Sequence, residues 1–263
     1  MSENHLQYSP AQLRALFRNE SLVLPTAGLC PDYVQANLAI LPGAYAEDFA
    51  EFIRKNPKPC PLLEVITGDV PISKTIAPGS DITRDFPLYR VYRHGEPQED
   101  IPDVSHLWTP DMAAFIIGCS LTFEASLVRG GIPLKHYEQN KRVPMYNTDI
   151  PCVPSALFYG NYVVSMRPVK RELVPLAVSI TEKMDYAHGA PVQLGNPEEI
   201  GIFDIEHPDY GDPLEIADDE IPVFWACGVT AQAAAQQTKP EIMISHSPGY
   251  MLITDIRISD LSK

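Results

Sequence analysis

The 263-residue sequence lacks the features that mark several large protein classes. It contains no run of 18 apolar residues, which a membrane-spanning helix requires. Its opening, MSENHLQYSP, has neither the basic start nor the apolar stretch of a secretory signal. Lys and Arg number only 20 against 34 Asp and Glu, which gives a formal charge of −14. Because the chain is acidic and has no Lys/Arg block, we expect it to bind neither nucleic acid nor an anionic membrane.

Cysteines are few, and their spacing argues against the usual cysteine-based sites. There are five, an odd number, and they are widely separated with no C-x-x-C pair. This pattern disfavours both a disulfide framework and a zinc ribbon. It favours a reducing compartment, so the sequence predicts a cytoplasmic protein.

Four short signatures of common enzyme classes are also absent: G-x-G-x-x-G, G-x-x-x-x-G-K, G-x-S-x-G and H-E-x-x-H. Their absence disfavours Rossmann dehydrogenases, P-loop NTPases, ordinary α/β-hydrolases and zincins. No Cys/His spacing predicts a metal site. The abundant Asp and Glu nevertheless leave a Mg²⁺ or Mn²⁺ site open.

Proline is abundant, with 26 residues, and it divides the chain into short elements. Ser9-Pro10-Ala11-Gln12 is a capping box that predicts a first helix. Further helices are predicted from about residue 32 to 41, over residues 45–56, from Thr109-Pro110-Asp111, over 121–129, over 173–184 and over 231–237. Strands are predicted over residues 62–66, 88–93, 162–166, 223–227, 241–245 and 251–256. The C-terminal strand–helix–strand order favours an α/β layer with a partly parallel sheet, and we find no internal repeat.

Two of four polar clusters lie in the middle of the chain. Residues 118–124 form a glycine turn that opens a helix, where free N–H groups suit a carboxylate or phosphate. The alternative is structural, with Ser120 as N-cap and Glu124 balancing the helix dipole. Residues 142–149 carry many hydrogen-bonding side chains beside a proline, which fits either a binding segment or a well-bonded turn.

The other two clusters follow predicted strands. Arg167 ends one strand and can clamp a carboxylate, or pair with the acidic surface. Residues 227–230 and 245–250 lie just past two strand ends, where ligands bind in open α/β sheets. His246 there can exchange protons near neutral pH or stabilise a turn. Cys119 and Cys227 each abut a glycine at a predicted helix start, where a thiol pKa can fall. The loop histidines, including His188, are predicted to be surface residues.

Six strings in a fixed order resemble the D-glutamate cyclase family. They are GCSLTFEASL, RVPMYNTDI, NYVVSMRPV, HGAPVQLGNPEEIGI, IPVFWACGVT and ISHSPGYMLITDI. The resemblance covers residues 29–255. It implies a three-layer α/β/α domain, with a smaller two-layer α/β domain inserted in it. We place the large domain at residues 1–118 and 196–263, and the small domain at 119–195.

The resemblance also implies a hydro-lyase that cyclises D-glutamate to 5-oxo-D-proline with loss of water, or acts on another small amino or hydroxy acid. Such a reaction needs a base for the amine, a proton for the leaving oxygen and partners for the carboxylates. The implied partner is a small-molecule carboxylate, and a homodimer is the default assembly. Candidate catalytic residues are Glu124, His246, Cys119 and Tyr146, with His136 as a further proton donor. Candidate substrate-binding residues are Ser120, Thr122, Arg142, Asn147, Thr148, Arg167, Cys227 and Gly228.

Two alternatives remain open at this point. One is a non-catalytic protein that binds a carboxylate metabolite with the same arginines and helix N-termini. The other is an amidohydrolase-like enzyme with Cys119 or Cys227 as its nucleophile.

Overall fold

The structure, a computed structural model, describes residues 8–261. The helices are α1 (Pro10–Arg18), α2 (Gly43–Lys55), α3 (Leu121–Arg129), α4 (Lys135–Glu138), α5 (Val174–Thr181), α6 (Val229–Thr238) and α7 (Ile258–Leu261). The strands are β1 (Tyr33–Pro42), β2 (Leu62–Thr67), β3 (Tyr89–Arg93), β4 (Glu96–Ile101), β5 (Met112–Gly118), β6 (Met145–Pro151), β7 (Asn161–Lys170), β8 (Gln193–Leu194), β9 (Glu220–Ala226), β10 (Met243–His246) and β11 (Leu252–Arg257). The α/β class expected from the sequence is confirmed.

The strands form a large sheet of seven strands and a small sheet of four. The large sheet has the order β2-β5-β1-β10-β3-β4, and β11 also pairs with β1. The small sheet has the order β6-β7-β9-β8. Every pairing in both sheets is antiparallel, so the prediction of a partly parallel sheet is wrong. The strands on either side of helix α6 lie in different sheets, β9 in the small sheet and β10 in the large one. They are therefore not neighbours, and the strand–helix–strand segment does not produce a parallel pair.

The central strand β1 corrects a second prediction, because residues 32–41 were expected to be helical. Ala36, Leu38 and Ile40 pack into the core on one face of the sheet. Ala39 and Leu41 pack into the core on the other face. A strand that is apolar on both faces has no period-2 signal, so its run of apolar residues resembles a buried helix.

Strand β5 corrects a third prediction, the helix start at residues 109–111. The Thr109 hydroxyl donates to Asp111 at 2.6 Å, and the N–H of Met112 donates to the carbonyl of Thr109 at 2.9 Å. These bonds make a tight turn into a strand whose residues are all buried. The remaining predicted helices and strands are confirmed, including α1 with its capping box.

The two faces of the large sheet are covered differently. Helices α2 and α6 pack on one face, where Phe49, Phe52 and Ala234 enter the same core. On the other face lies an irregular segment over residues 68–88. The buried carboxylate of Asp85 holds this segment, because it accepts bonds from Arg18 and from neighbouring groups. The segment therefore closes the core without regular structure.

The small sheet packs against α3 and α5 around the buried Trp225. Its four strands lie between residues 145 and 226. The division into domains at residues 118/119 and 195/196 stays a prediction. Among residues 8–261, no helix has the length and apolar character to cross a membrane.

Candidate active site

A cavity of about 570 Å³ lies between the two sheets, and we call it the inter-sheet cavity. The N-termini of two helices lie at this cavity. They belong to α3, which follows strand β5, and to α6, which follows strand β9. Six of the residues predicted from the sequence line this cavity. They are Cys119, Ser120, His136, Arg142, Cys227 and His246.

A buried ion pair lies directly behind the cavity wall. Arg167 and Glu124 are both almost completely buried, and the guanidinium donates to Glu124 Oε1 at 2.5 and 3.0 Å. The remaining arginine donors reach Ser165 Oγ at 3.0 Å and Ser120 Oγ at 3.1 Å. Both serines line the cavity. The positive charge therefore acts on the cavity through two hydroxyl groups, and not by contact of the guanidinium itself.

The other side of the Glu124 carboxylate faces helix α4. The Tyr137 hydroxyl donates to Glu124 Oε2 at 2.7 Å, and His136 Nε2 lies 3.2 Å from Oε1. Burial by itself favours the protonated acid, but the neighbouring His136 and Arg167 and the hydrogen bonds lower the pKa of Glu124 to about 2. Glu124 is therefore an anion at neutral pH and a weak base.

His246 is held as a neutral ring. Its Nδ1 accepts the N–H of Leu38 at 3.2 Å, so the proton of the neutral ring lies on Nε2. Burial lowers the pKa of His246 to about 4. A ring whose free lone pair is already occupied and whose pKa is low cannot serve as a base at neutral pH. It can donate a hydrogen bond from Nε2 into the cavity.

The two cavity cysteines are in the thiol form. The N–H of Leu121 points at Cys119 Sγ at 3.5 Å, and Cys227 Sγ lies 3.7 Å from the sulfur of Met145. Burial raises the pKa of both Cys119 and Cys227, so the helix N-termini do not produce a thiolate. A nucleophilic cysteine is therefore not favoured by this geometry.

The other predicted residues lie around or away from the cavity. Thr122 bonds strand β1 through the backbone of Gln35. Tyr146 donates to the carbonyl of Ile205 at 2.7 Å and packs in a separate core. Asn147 and Thr148 line a second cleft near α6. Seven predicted site residues therefore do not line the inter-sheet cavity: Thr122, Glu124, Tyr146, Asn147, Thr148, Arg167 and Gly228.

Comparison with known proteins decides the family. The family model described as D-glutamate cyclase matches residues 113–255. A protein of Bacillus licheniformis named “putative hydro-lyase” is 50% identical over 94% of this chain and 95% of its own. A protein of Bacillus subtilis with the same designation is 47% identical over 97% of this chain and 99% of its own. The chain belongs to the D-glutamate cyclase family.

One solved structure was also compared with this family member. It is a nitrogen repressor-like protein from Methanococcus jannaschii, at 11% identity, which covers 96% of this chain and 97% of its own. The TM-score of this match is 0.41.

Sequence reasoning missed several cavity residues of this D-glutamate cyclase family member. Asn37 lies in β1, the strand that was predicted as a helix, and its amide donates to the carbonyl of Gly118 at 2.6 Å. Ser165 and Tyr137 also line the cavity. A polar residue within a fully apolar strand is the signal that marks Asn37, provided that the segment is recognised as a strand.

The arrangement of side chains that could bind a metal ion was also determined by the fold. Across residues 8–261, no group of three or more His, Cys, Asp and Glu side chains is arranged to hold a metal ion. Addition of Mn²⁺ to the activity assay would show whether the protein uses a divalent metal ion.

Gly228 has a steric role in this family member that predicts a measurable effect. Its φ of −63° suits any residue, but a Cβ there would lie 2.2 Å from the Asn37 amide. We expect Gly228→Ala to cost about 1–3 kcal/mol of unfolding free energy, because the core is overpacked. Adding Asn37→Ser makes room, so the double variant should lose less than the sum of the two single variants. Urea unfolding of all three variants measures this, and a fully stable Gly228→Ala would contradict it.

Proposed function

We propose that the protein is a hydro-lyase that cyclises D-glutamate to 5-oxo-D-proline in the inter-sheet cavity. The observation that carries this proposal is the buried Arg167–Glu124 pair, which contacts the cavity through Ser120 and Ser165. A cationic group behind two hydroxyls is suited to a carboxylate whose charge must be neutralised before it reacts. Family membership and the names of the relatives support the hydro-lyase class.

The proton balance of the reaction is closed within the substrate. The ammonium group loses two protons, the amine nitrogen forms a bond to the γ-carboxyl carbon, and one C–O bond breaks. The departing oxygen gains both protons and leaves as water. The site must therefore move protons from nitrogen to oxygen over a short path, with no external acid or base consumed.

His136 is our candidate for this transfer. It lines the cavity, its side chain is 1% exposed, and Nε2 lies beside the Glu124 carboxylate. A histidine oriented by a buried carboxylate is a common arrangement for proton transfer. His246 Nε2–H is suited to hold a carboxylate or a leaving oxygen as a neutral donor. Arg167 is then a positioning residue, because it acts through Ser120 and Ser165.

The test is proton NMR of the purified protein with D-glutamate and, separately, L-glutamate, each with and without Mn²⁺. We expect 5-oxoproline from the D isomer. Ser165→Ala should lower kcat about tenfold or more, because a donor to the reacting carboxylate is lost. Asn147→Ala, outside the cavity, is the matched control and should keep wild-type turnover. Saturable binding without turnover would contradict the enzyme proposal and indicate a carboxylate-binding protein. Turnover of L-glutamate alone would contradict the proposed preference for the D isomer.

A further inference from the structure

The chain contains an internal duplication that the sequence alone did not reveal. The string GCSLTFEA from Gly118 aligns with ACGVTAQA from Ala226, and both follow a strand and open a helix. The threonines in the two strings make the same bonds. Thr122 Oγ1 accepts the N–H of Gln35 at 3.0 Å, and Thr230 Oγ1 accepts the N–H of Val163 at 2.9 Å.

Strand register shows that the equivalence extends beyond these strings. Gly118 pairs with Ala36 in β1, and Ala226 pairs with Val164 in β7. Ala36 and Val164 each have a second partner on their other side. Ala36 pairs with Leu252 in β11, and Val164 pairs with Tyr146 in β6. The chain therefore has two equivalent units, β1-β5-α3-β6 and β7-β9-α6-β11. The last strand of each unit pairs with the first strand of the other.

The inter-sheet cavity lies between these two units, and its lining is paired in the same way. The equivalent lining residues are Asn37 with Ser165, Cys119 with Cys227, Leu121 with Val229, and Met145 with Met251. Each helix also begins against the strand of the other unit. Ser120 Oγ lies 3.4 Å from Ser165 Oγ, and Gly228 abuts the amide of Asn37.

The duplication is broken at the charged groups. Glu124 of the first unit corresponds to Gln232 of the second, and Arg167 corresponds to Ala39. Gln232 donates to the Tyr92 hydroxyl at 2.6 Å, so the α6 end is neutral. The ion pair and His136 are all at the α3 end.

We infer that the cavity binds a short aliphatic dicarboxylate, with one carboxylate at the N-terminus of each helix, and that the reacting end lies at α3. Helices of nine and ten residues both present partially positive N-termini to this cavity. An independent observation supports a ligand: the buried His136 lines the cavity, and neither of its ring nitrogens has a hydrogen-bond partner within residues 8–261, although Nε2 lies 3.2 Å from Glu124 Oε1. The assignment of the reacting end rests on the proposed function, whereas the two carboxylate positions do not.

Calorimetric titration of the wild-type protein with inert acids tests the two positions. Succinate, glutarate and adipate are compared with butyrate, which has a single carboxylate. We expect the best dicarboxylate to bind at least about tenfold more tightly than butyrate, because it makes charged hydrogen bonds at a second position; tenfold corresponds to about 1.4 kcal/mol. Dicarboxylates that bind no more tightly than butyrate, or not at all, would overturn the inference.

Variants at the paired positions Ser165 and Asn37 test the arrangement further. Ser165→Ala removes the hydroxyl that connects Arg167 to the cavity, and Asn37→Ser removes the amide that abuts Gly228 at the start of α6. Each variant should therefore weaken dicarboxylate binding about tenfold and leave butyrate binding within about threefold. A loss in one variant alone would mean a single anion position and would overturn the inference. Thermal melting establishes that each variant folds, and the wild-type titration stands as a separate test if one does not.

Turnover separates this inference from the proposed function. If D-glutamate is cyclised, both variants should raise KM, and Ser165→Ala should in addition lower kcat, whereas Asn37→Ser should leave kcat within about threefold. The reverse pattern would place the reacting end at α6. Turnover without dicarboxylate preference would leave the function standing and remove the two-position arrangement. Tight dicarboxylate binding without turnover would support the two-position arrangement and contradict the proposed function.

Discussion

Lowering the pH from 7 to 4 is expected to remove about 6 kcal/mol of folding stability, because two histidines are buried in the neutral form. His246 lies at the cavity, and His188 donates from Nδ1 to the carbonyl of Lys58 at 3.0 Å. Burial lowers the pKa of each histidine from 6.5 to about 4. Each shift corresponds to about 3 kcal/mol.

The sign follows from proton uptake by the two states. Between pH 6.5 and 4 the unfolded chain protonates both histidines and the folded chain protonates neither, so stability falls as the pH falls. Above pH 6.5 both states are neutral at these positions and the effect vanishes. With two histidines, the steepest slope is about 2.7 kcal/mol per pH unit. The expected loss is similar to the total stability of many domains, which is about 5–15 kcal/mol.

Urea unfolding at half-unit steps from pH 7.5 to 4.5 measures this slope. His246→Asn should reduce the slope by about half, since its side-chain oxygen can accept the Leu38 N–H without titrating. His207→Asn is the matched control, because His207 is exposed and its Nδ1 lies 2.8 Å from Asp204 on the surface. Constant stability between pH 7 and 5 would contradict the burial of both rings.

His188 also illustrates what the sequence can and cannot predict. Its loop position suggested an exposed side chain, yet it is 1% exposed. The residue has a φ of +78°, and its ring lies beneath the chain at Lys58, which is 130 positions away. Short-range patterns carry no information about such a contact. The same limit explains Asn147 and Thr148, which follow the cavity residue Arg142 in sequence and yet line another cleft.

Local signals succeeded where the cause of the structure is local. The capping box at Ser9 begins α1, and Gly118 and Gly228 lie where strands turn into helices, so the two helix N-termini were found correctly. The antiparallel sheets depend on pairings between distant strands. β1 pairs with β11 more than 200 residues away, and no short pattern predicts that register. The duplication was missed for the same reason. The two eight-residue strings share few residues, and the equivalence of the two units is visible mainly in how their strands pair.

Glu124→Gln is expected to cost about 3–5 kcal/mol of unfolding free energy and to abolish turnover. The change leaves the buried Arg167 charge without its counterion, and an uncompensated buried charge is strongly destabilising. Arg167 also lies over the rings of Phe123 and Trp225, at 4.9 and 5.6 Å from their centroids. These ring contacts hold the guanidinium in place but do not replace the carboxylate.

A double-mutant cycle with Arg167→Met distinguishes loss of the pair from loss of either side chain. Arg167→Met alone should cost a similar amount, because the Glu124 carboxylate remains buried with Tyr137 as its main donor. The double variant contains no uncompensated charge at these two positions, so it should lose less than the sum of the single variants by about 2 kcal/mol or more. Urea unfolding at pH 7 gives all four stabilities.

The exposed pair Arg142–Asp212 is the control for this cycle. Its side chains are 55% and 34% exposed, so Arg142→Met and Asp212→Asn should show a coupling of only about 0–1 kcal/mol. Additive losses at Glu124 and Arg167 would mean that the two charges act independently. Recovery of stability in the double variant, without recovery of turnover, would separate the two roles of the pair. That outcome would show that the fold needs charge compensation behind the cavity and that the proposed reaction needs the Arg167 cation, which polarises the Ser120 and Ser165 hydroxyls more strongly than a neutral donor does.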